Sequence, residues 1–191
     1  MDKSFRSAFF SLTVNIACCV YHIAFGAMMK SWWLLNCGTY YFVLSMARFL
    51  VITVKKGNGF VAKLSGVMLM ALSVSIAGTV ILNYVNDRGE KMHEIVAITL
   101  AVYAFSKITI AAVKMIKYWR ASSVKLTVLR HISFASALVS IFSLQRIMLA
   151  TFEGMTDAEI LIMNAATGTC IVISVFVLGV SLWRRSNNFR T

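Results

Sequence analysis

Proline is absent from all 191 residues, and only seven residues are acidic. Without proline a helix has no obligatory break, which argues against transporters that hold substrate with the freed backbone of discontinuous helices. Gly38, Gly78 and Gly168 are the weak points that remain. The acids avoid the apolar runs. Asp2 lies near the N-terminus, Asp87, Glu90 and Glu94 fall around one connection, and Glu153, Asp157 and Glu159 around another. No carboxylate is therefore available inside a run to neutralise a cation, relay a proton or act as a general acid. Soluble-enzyme signatures are missing as well: there is no H-E-x-x-H, G-x-S-x-G, Walker A loop or dinucleotide fingerprint. The chain is expected to be no enzyme and to carry no cofactor. Cysteine is scarce, and Cys18, Cys19, Cys37 and Cys170 all sit in apolar runs. There a thiol packs as a small apolar group, and loop-stapling disulfides are not expected.

What the chain has is hydrocarbon. With 59% hydrophobic and 14% charged residues, too few charges exist to cover a water-facing surface of this size. Six runs can be marked, at about 7–29, 32–54, 61–84, 95–116, 130–150 and 161–183. Each is near the roughly 20 residues that cross about 30 Å of hydrocarbon at about 1.5 Å per residue. The runs are continuous, not alternating, which excludes a β-barrel. The expected fold is all-α: one polytopic transmembrane domain spanning 1–191, its six spans arranged as three hairpins. The first run lacks an A-x-A-like cleavage site and reads as a retained span.

Basic residues fix the expected orientation. Lys3, Arg6, Lys55, Lys56, Lys63, Lys117, Arg120, Lys125, Arg130, Arg184, Arg185 and Arg190 fall on one side of a six-span zigzag, and only Lys30, Arg88 and Lys91 fall in the opposite loops. The positive-inside rule then puts both termini in the cytoplasm of a plasma-membrane protein. The net charge of +12 becomes a basic inner face that attracts anionic lipid headgroups. Nucleic acid is not an expected partner, because no soluble basic domain or aromatic stacking platform accompanies the charge. Trp32, Trp33, Tyr40 and Tyr41 toward the outer side, and Tyr118, Trp119 and Trp183 toward the inner, read as interfacial anchors.

Polar residues inside the runs are the candidates for function. Arg48 and Lys107 stand out, since a cation at the bilayer centre costs at least about 2.5–3.5 kcal/mol on insertion scales. Arg48 can snorkel to the inner phosphates, whereas Lys107 lies nearer the midplane. Lys107 has Tyr103 four residues earlier and Ser106 and Thr109 beside it. With no carboxylate at hand, Arg48, Lys107 and Tyr103 are the expected lining of a site for an anion or substrate. His22, Asn36, Asn164, Thr167 and Thr169 are the expected lining of a polar outer cavity. Asn15, Cys18, Cys19, His22 and Gly26 form a stripe on one helix face, but three ligands at one depth are too few for a structural metal site, and none is expected. The connection holding Asp87, Glu90, His93 and Glu94 reads as a hydrated loop. Arg146 is expected to pair at the boundary with Glu153 or Asp157. Ser133, Ser136, Ser140 and Ser143 recur on one face and read as a helix-packing seam.

"ARFLVITVK" and "SKITIAAVK" align their basic pairs, Arg48 with Lys55 and Lys107 with Lys114, at a spacing of seven, which raises a tandem-hairpin repeat. The stretches "YAFSKITIAAV" and "LRHISFASALVSIFSLQRIML" resemble an uncharacterised family of small six-span membrane proteins of Gram-positive bacteria. That likeness implies a bacterial plasma-membrane protein and no particular activity. Size and span count also resemble the substrate-binding subunits of energy-coupling-factor vitamin transporters. Their A-x-x-x-A motif is not matched by the spacing of Ala17, Ala24 and Ala27.

Two functions follow. One is a small permease or membrane-embedded binding subunit for a neutral or anionic solute or lipid headgroup. The other is a non-transporting partner or sensor that packs, as a homo-oligomer or on another membrane protein, through small-residue faces. The orientation is open to direct test. Single cysteines near Glu90 and Thr156, in a background lacking the native thiols, should react with an impermeant maleimide from outside the cell. Those near Gly57 and Ser122 should react only after permeabilisation, and the reverse pattern rejects the orientation.

Overall fold

The computed structural model describes residues 3–30, 32–54, 57–85, 94–117, 123–152 and 154–188. They form six α-helices: α1 (Lys3–Met29), α2 (Trp32–Thr53), α3 (Asn58–Val85), α4 (Glu94–Lys117), α5 (Val124–Thr151) and α6 (Asp157–Asn188). No strand occurs among the described residues. Helix is what such a sequence must form in an apolar medium, where every backbone N–H and C=O has to be satisfied within its own segment. Outward-facing hydroxyls follow the same rule. Thr39, Thr99 and Thr169 each donate to the carbonyl four residues back, on Leu35, Ile95 and Ala165. The helices stop at local devices. Lys30 takes the left-handed conformation at φ 52° after α1, and Gly154 does so at φ 127° before α6. A capping box then opens α6: the Thr156 N–H and hydroxyl both donate to Glu159 Oε2 at 2.8 Å.

Five of the helices are long and apolar enough to cross a membrane: Phe9–Met28, Leu34–Thr53, Gly59–Leu82, Val124–Thr151 and Asp157–Ser186. In α4 the apolar stretch that qualifies is the shorter Ala104–Val113. The surface is inverted relative to a water-soluble protein. Phe10, Val20, Phe60, Val74, Phe105, Ile116 and Ile162 are exposed, while Asn15, Arg48, Arg146 and Asn164 are buried. Apolar side chains that would have to face water, with polar ones inside, describe a protein embedded in lipid.

The most extensive helix contacts join α1 to α2, α4 to α5, and α3 to α6. This differs from the expected grouping into sequential hairpins, because α3 takes α6 in place of α4 as its main partner. It also leaves the proposed repeat without a structural counterpart, since α2 packs chiefly on the helix before it and α4 on the helix after it. Glycine explains the α3–α6 pair. A Cβ on Gly66 would stand 2.7 Å from the Gly179 carbonyl oxygen, and one on Gly179 would stand 2.8 Å from that of Gly66. The two backbones touch where neither residue has a side chain. Gly26 does the same for α1 and α2, where a Cβ would come within 2.9 Å of the Leu35 nitrogen. α5 is the hub and packs against α2, α3, α4 and α6.

Tyr40 and Tyr41 correct an expectation. Both are buried, so neither anchors the interface; Tyr40 reaches α3, and Tyr41 reaches α1, α4 and α5. Trp32 is exposed, and Trp183 carries Lys63 Nζ at 6.0 Å from its ring centre, as anchors do. Tyr118 and Trp119 lie outside the described residues.

The glycine contacts give a prediction with two signs. Gly66→Val or Gly179→Val should destabilise the fold by about 1–3 kcal/mol, the usual cost of overpacking. Gly78, with nothing within 4 Å of a built Cβ, should accept alanine and gain up to about 1 kcal/mol of helix propensity. Thermal denaturation in detergent, followed by loss of the monodisperse peak, ranks the three variants.

Candidate functional site: two buried cation clusters

Neighbouring residues on a helix point about 100° apart. Tyr40 and Tyr41 therefore send their rings from α2 into different parts of the bundle; the Tyr41 ring meets a cation, and Tyr40 lies within electrostatic reach of another.

The first cluster surrounds Tyr41. Lys107 Nζ, from α4, lies over the Tyr41 ring at 4.7 Å from its centre and out of solvent reach. His22, from α1, sets its ring 5.1 Å from that of Tyr41 at an interplanar angle of 37°. Its Nδ1 lies 2.7 Å from the Cys18 carbonyl, which fixes the proton on Nδ1 and leaves Nε2 as an acceptor. The Ser140 hydroxyl donates to the Ser136 carbonyl at 3.0 Å, so the Tyr41 hydroxyl is left to donate to Ser140. Cys18 and Arg48 both lie within electrostatic reach of Lys107. Arg48 is 3% exposed, which corrects the expectation that it snorkels to the lipid phosphates. It is two turns along α2 from Tyr41, on the same inward face as Leu44 and Ser45, and α2 is too enclosed there for its side chain to leave the protein.

Several sequence candidates resolve around this cluster. Arg48 and His22 both lie within electrostatic reach of Lys107. The Tyr103 side chain lies outside the described residues. Ser106 and Thr109 do not serve Lys107: both are exposed and donate to their own helix, to the Val102 and Phe105 carbonyls. Among the described residues no three His, Cys, Asp or Glu side chains gather in a metal-binding group. Cys19 instead donates to the Gly38 carbonyl, at 3.4 Å, across the α1–α2 contact.

The second cluster surrounds Tyr40, between α2, α3 and α5. The Asn36 amide donates to the Thr79 hydroxyl at 2.6 Å. Tyr40 also bonds that hydroxyl, which in turn donates to the Ser75 carbonyl at 3.2 Å. Arg146, at 1% exposure the largest fully buried side chain among the described residues, acts electrostatically on Tyr40. Arg146 lies inside the bundle and Asp157 is exposed, while Glu153, the other partner expected at the boundary, lies outside the described residues. Asn164 is 2% exposed, and neither its Oδ1 nor its Nδ2 has a hydrogen-bond partner among the described residues. The expected outer cavity is thus divided. Asn36 lines the Tyr40 cluster and His22 belongs with Tyr41 and Lys107, while Asn164 is buried on α6, Thr167 is half-buried, and Thr169 is exposed.

Sequence reasoning missed Arg146, Tyr40, Tyr41 and Thr79. A usable signal existed for Arg146: the face at three- and four-residue spacing running Val139, Phe142, Arg146 is the buried side of α5. The chain matches no protein-family model and no curated protein sequence. The resemblance carried by "YAFSKITIAAV" therefore adds nothing to the assignment of these clusters.

The Tyr41 cluster can be dissected by a double-mutant cycle. Tyr41→Phe keeps the ring and loses the Ser140 bond, an expected cost of about 0.5–1.5 kcal/mol. Tyr41→Leu also removes the cation–π contact, adding up to about 2 kcal/mol at a desolvated site. In a Lys107→Met background that second increment should shrink; an unchanged increment shows that the ring contributes packing alone.

Proposed function

We propose that this chain is a six-span integral membrane protein of the plasma membrane, both termini cytoplasmic, that binds an anionic solute or lipid headgroup between Lys107 and Arg48. Support for α4 as the sixth span comes from its outward face. Ile95, Ile98, Val102, Phe105, Ile110, Val113 and Ile116 are all exposed. Their three- to five-residue spacing draws one apolar stripe along nearly the whole helix, roughly 32 Å at about 1.5 Å per residue, the thickness of a hydrocarbon core. Lys107 interrupts the hydropathy of α4 but lies off that stripe, on the inward side.

The observation that carries the binding reading is the proximity of two like charges. Lys107 and Arg48 are covered by protein, close enough to repel, and carried by helices that contain no carboxylate between residues 95 and 152 or in α1, α2 and α3. In a low-dielectric interior such repulsion is expensive. An anion held between the two turns it into attraction. Tyr41, His22 and Ser140 supply neutral groups around that position. This is a binding function, with no chemistry to perform on the ligand.

The tight glycine contacts favour a second reading, a non-transporting partner or sensor, because α1–α2 and α3–α6 are joined backbone to backbone and leave little room to rearrange. One experiment separates the two. Purified protein in nanodiscs is titrated with inorganic phosphate at constant ionic strength, and the thermal midpoint is recorded. The wild type should gain stability with phosphate. Lys107→Met, which keeps length and apolar packing, should be as stable or more so without phosphate and respond at least tenfold more weakly. A Lys107→Met protein that is as stable as the parent and keeps its full response rejects the anion site and leaves Lys107 as a tolerated structural cation.

A further inference from the structure

Among the described residues α4 packs extensively on α5 alone, and the two helices do not close on each other along their whole length. Between them lies a cleft of about 340 Å³, at the lower end of the range for small-ligand sites. Ala111 and Ala137, each 4% exposed, form its floor. Ala112 and Ile116, both exposed, open it to the surface of the protein. The helices run antiparallel, as a connection this short requires, so Ile108 and Ile141 line one end of the cleft and Ile116 and Phe134 the other.

What fills the cleft follows from its chemistry. Every side chain that lines it is apolar, and water would find no polar partner there. An apolar space open to a bilayer takes hydrocarbon. From Ile108 to Ile116 the helix rises about 12 Å at about 1.5 Å per residue, most of the roughly 15 Å that one leaflet contributes to the hydrocarbon core. The cleft follows the last part of α4, which ends at Lys117, and so lies at the depth of the single leaflet on that side. Charge marks the same side. Residues 112–131 hold Lys114, Lys117, Arg120, Lys125 and Arg130 and no acid. Arg130 stands one turn from Phe134 on α5, just beyond the end of the cleft. Lys125 Nζ already donates to the Val54 carbonyl. The attraction for an anion is that of the summed charge and needs no one cation to be vacant.

From the apolar cleft and its basic rim we propose a binding site for one acyl chain of an anionic phospholipid, whose phosphate lies among the cations that end α4 and begin α5. The site is distinct from that between Lys107 and Arg48, because Lys107 Nζ turns inward to the Tyr41 ring whereas the cleft opens outward. It rests on the reading of α4 as a span. A lipid seated there completes the contact that holds α4, and with it Lys107, on the rest of the bundle.

The test uses the full chain, delipidated in mild detergent, with dioleoyl phosphatidylglycerol as the probe and dioleoyl phosphatidylcholine, which has the same chains and no net charge, as the comparator. Bound lipid is counted by native mass spectrometry, and the thermal midpoint is recorded. One phosphatidylglycerol should bind at least about tenfold more tightly than phosphatidylcholine and raise the midpoint. Ala112→Trp fills the cleft from its exposed rim; it should leave the lipid-free midpoint unchanged and weaken phosphatidylglycerol binding about tenfold, through lost chain packing. Lys117→Gln with Arg130→Gln should bring the two lipids to equal affinity, and this variant decides the matter if Ala112→Trp does not fold. Glycerol phosphate at equal ionic strength should not displace the lipid, and Lys107→Met should keep the preference. Equal binding of the two lipids by the wild type, phosphatidylglycerol binding that survives Ala112→Trp, or a dimer that Ala112→Trp dissociates overturns the proposal, the last by giving the cleft to a second copy of the chain. Cysteine labelling near Glu90 and Ser122, on either side of α4, tests the span by itself. Equal lipid binding with that labelling pattern intact removes the cleft site alone.

Discussion

A guanidinium or ammonium placed among hydrocarbon side chains is stable only if the protein surrounds it with groups that answer its charge, and here the sequence withholds the usual answer by keeping every carboxylate out of the middle of the helices. The remaining means are ring faces, hydroxyls, amides and backbone carbonyls. Much of the interior can be read as the arrangement of those means. Lys107 takes the face of Tyr41, Arg146 sits by Tyr40, and the hydroxyls of Ser140 and Thr79 organise the two phenols. The same constraint fits the gathering of buried polar residues on α5, the helix with most neighbours.

Helix number, helix positions and lipid embedding were legible in the sequence because they depend on hydrophobicity summed over about 20 residues, a quantity that single substitutions barely change. Burial of individual polar residues was less so. Arg48 and Lys107 stand out by charge against background, and they lie within electrostatic reach of each other. Arg146 reads as a boundary residue because it lies near the end of its run, and α5 continues to Thr151 with the Arg146 side chain buried. Tyr40 and Tyr41 were read as anchors from their nearness to Trp32 and Trp33. Their actual role depends on which face of α2 meets α3 and α5, and a helix apolar on all sides gives no such direction.

Pairing was the least legible feature. Short connections favour neighbours in sequence, which holds for α1 with α2 and α4 with α5. The α3–α6 pair rests on Gly66 and Gly179, two residues more than a hundred positions apart and unremarkable in their own segments. Neither belongs to a G-x-x-x-G repeat that would have drawn attention. The contact arises because each glycine lies where the other backbone approaches, information that exists only once the two helices are docked.

That contact has a consequence for how the protein is made. Gly179 emerges from the ribosome on the order of ten seconds after Gly66, at synthesis rates of about 5–20 residues per second. For that interval α3 stands in the bilayer with its glycine groove filled by acyl chains, while α4 and α5 are inserted and pair with each other. α6 must then displace lipid to reach α3, and its arrival is the step that gathers the earlier helices into one bundle. Assembly is therefore completed from the last helix backward, and a chain arrested before α6 would carry an open glycine face on which a quality-control protease or another copy's α6 could settle.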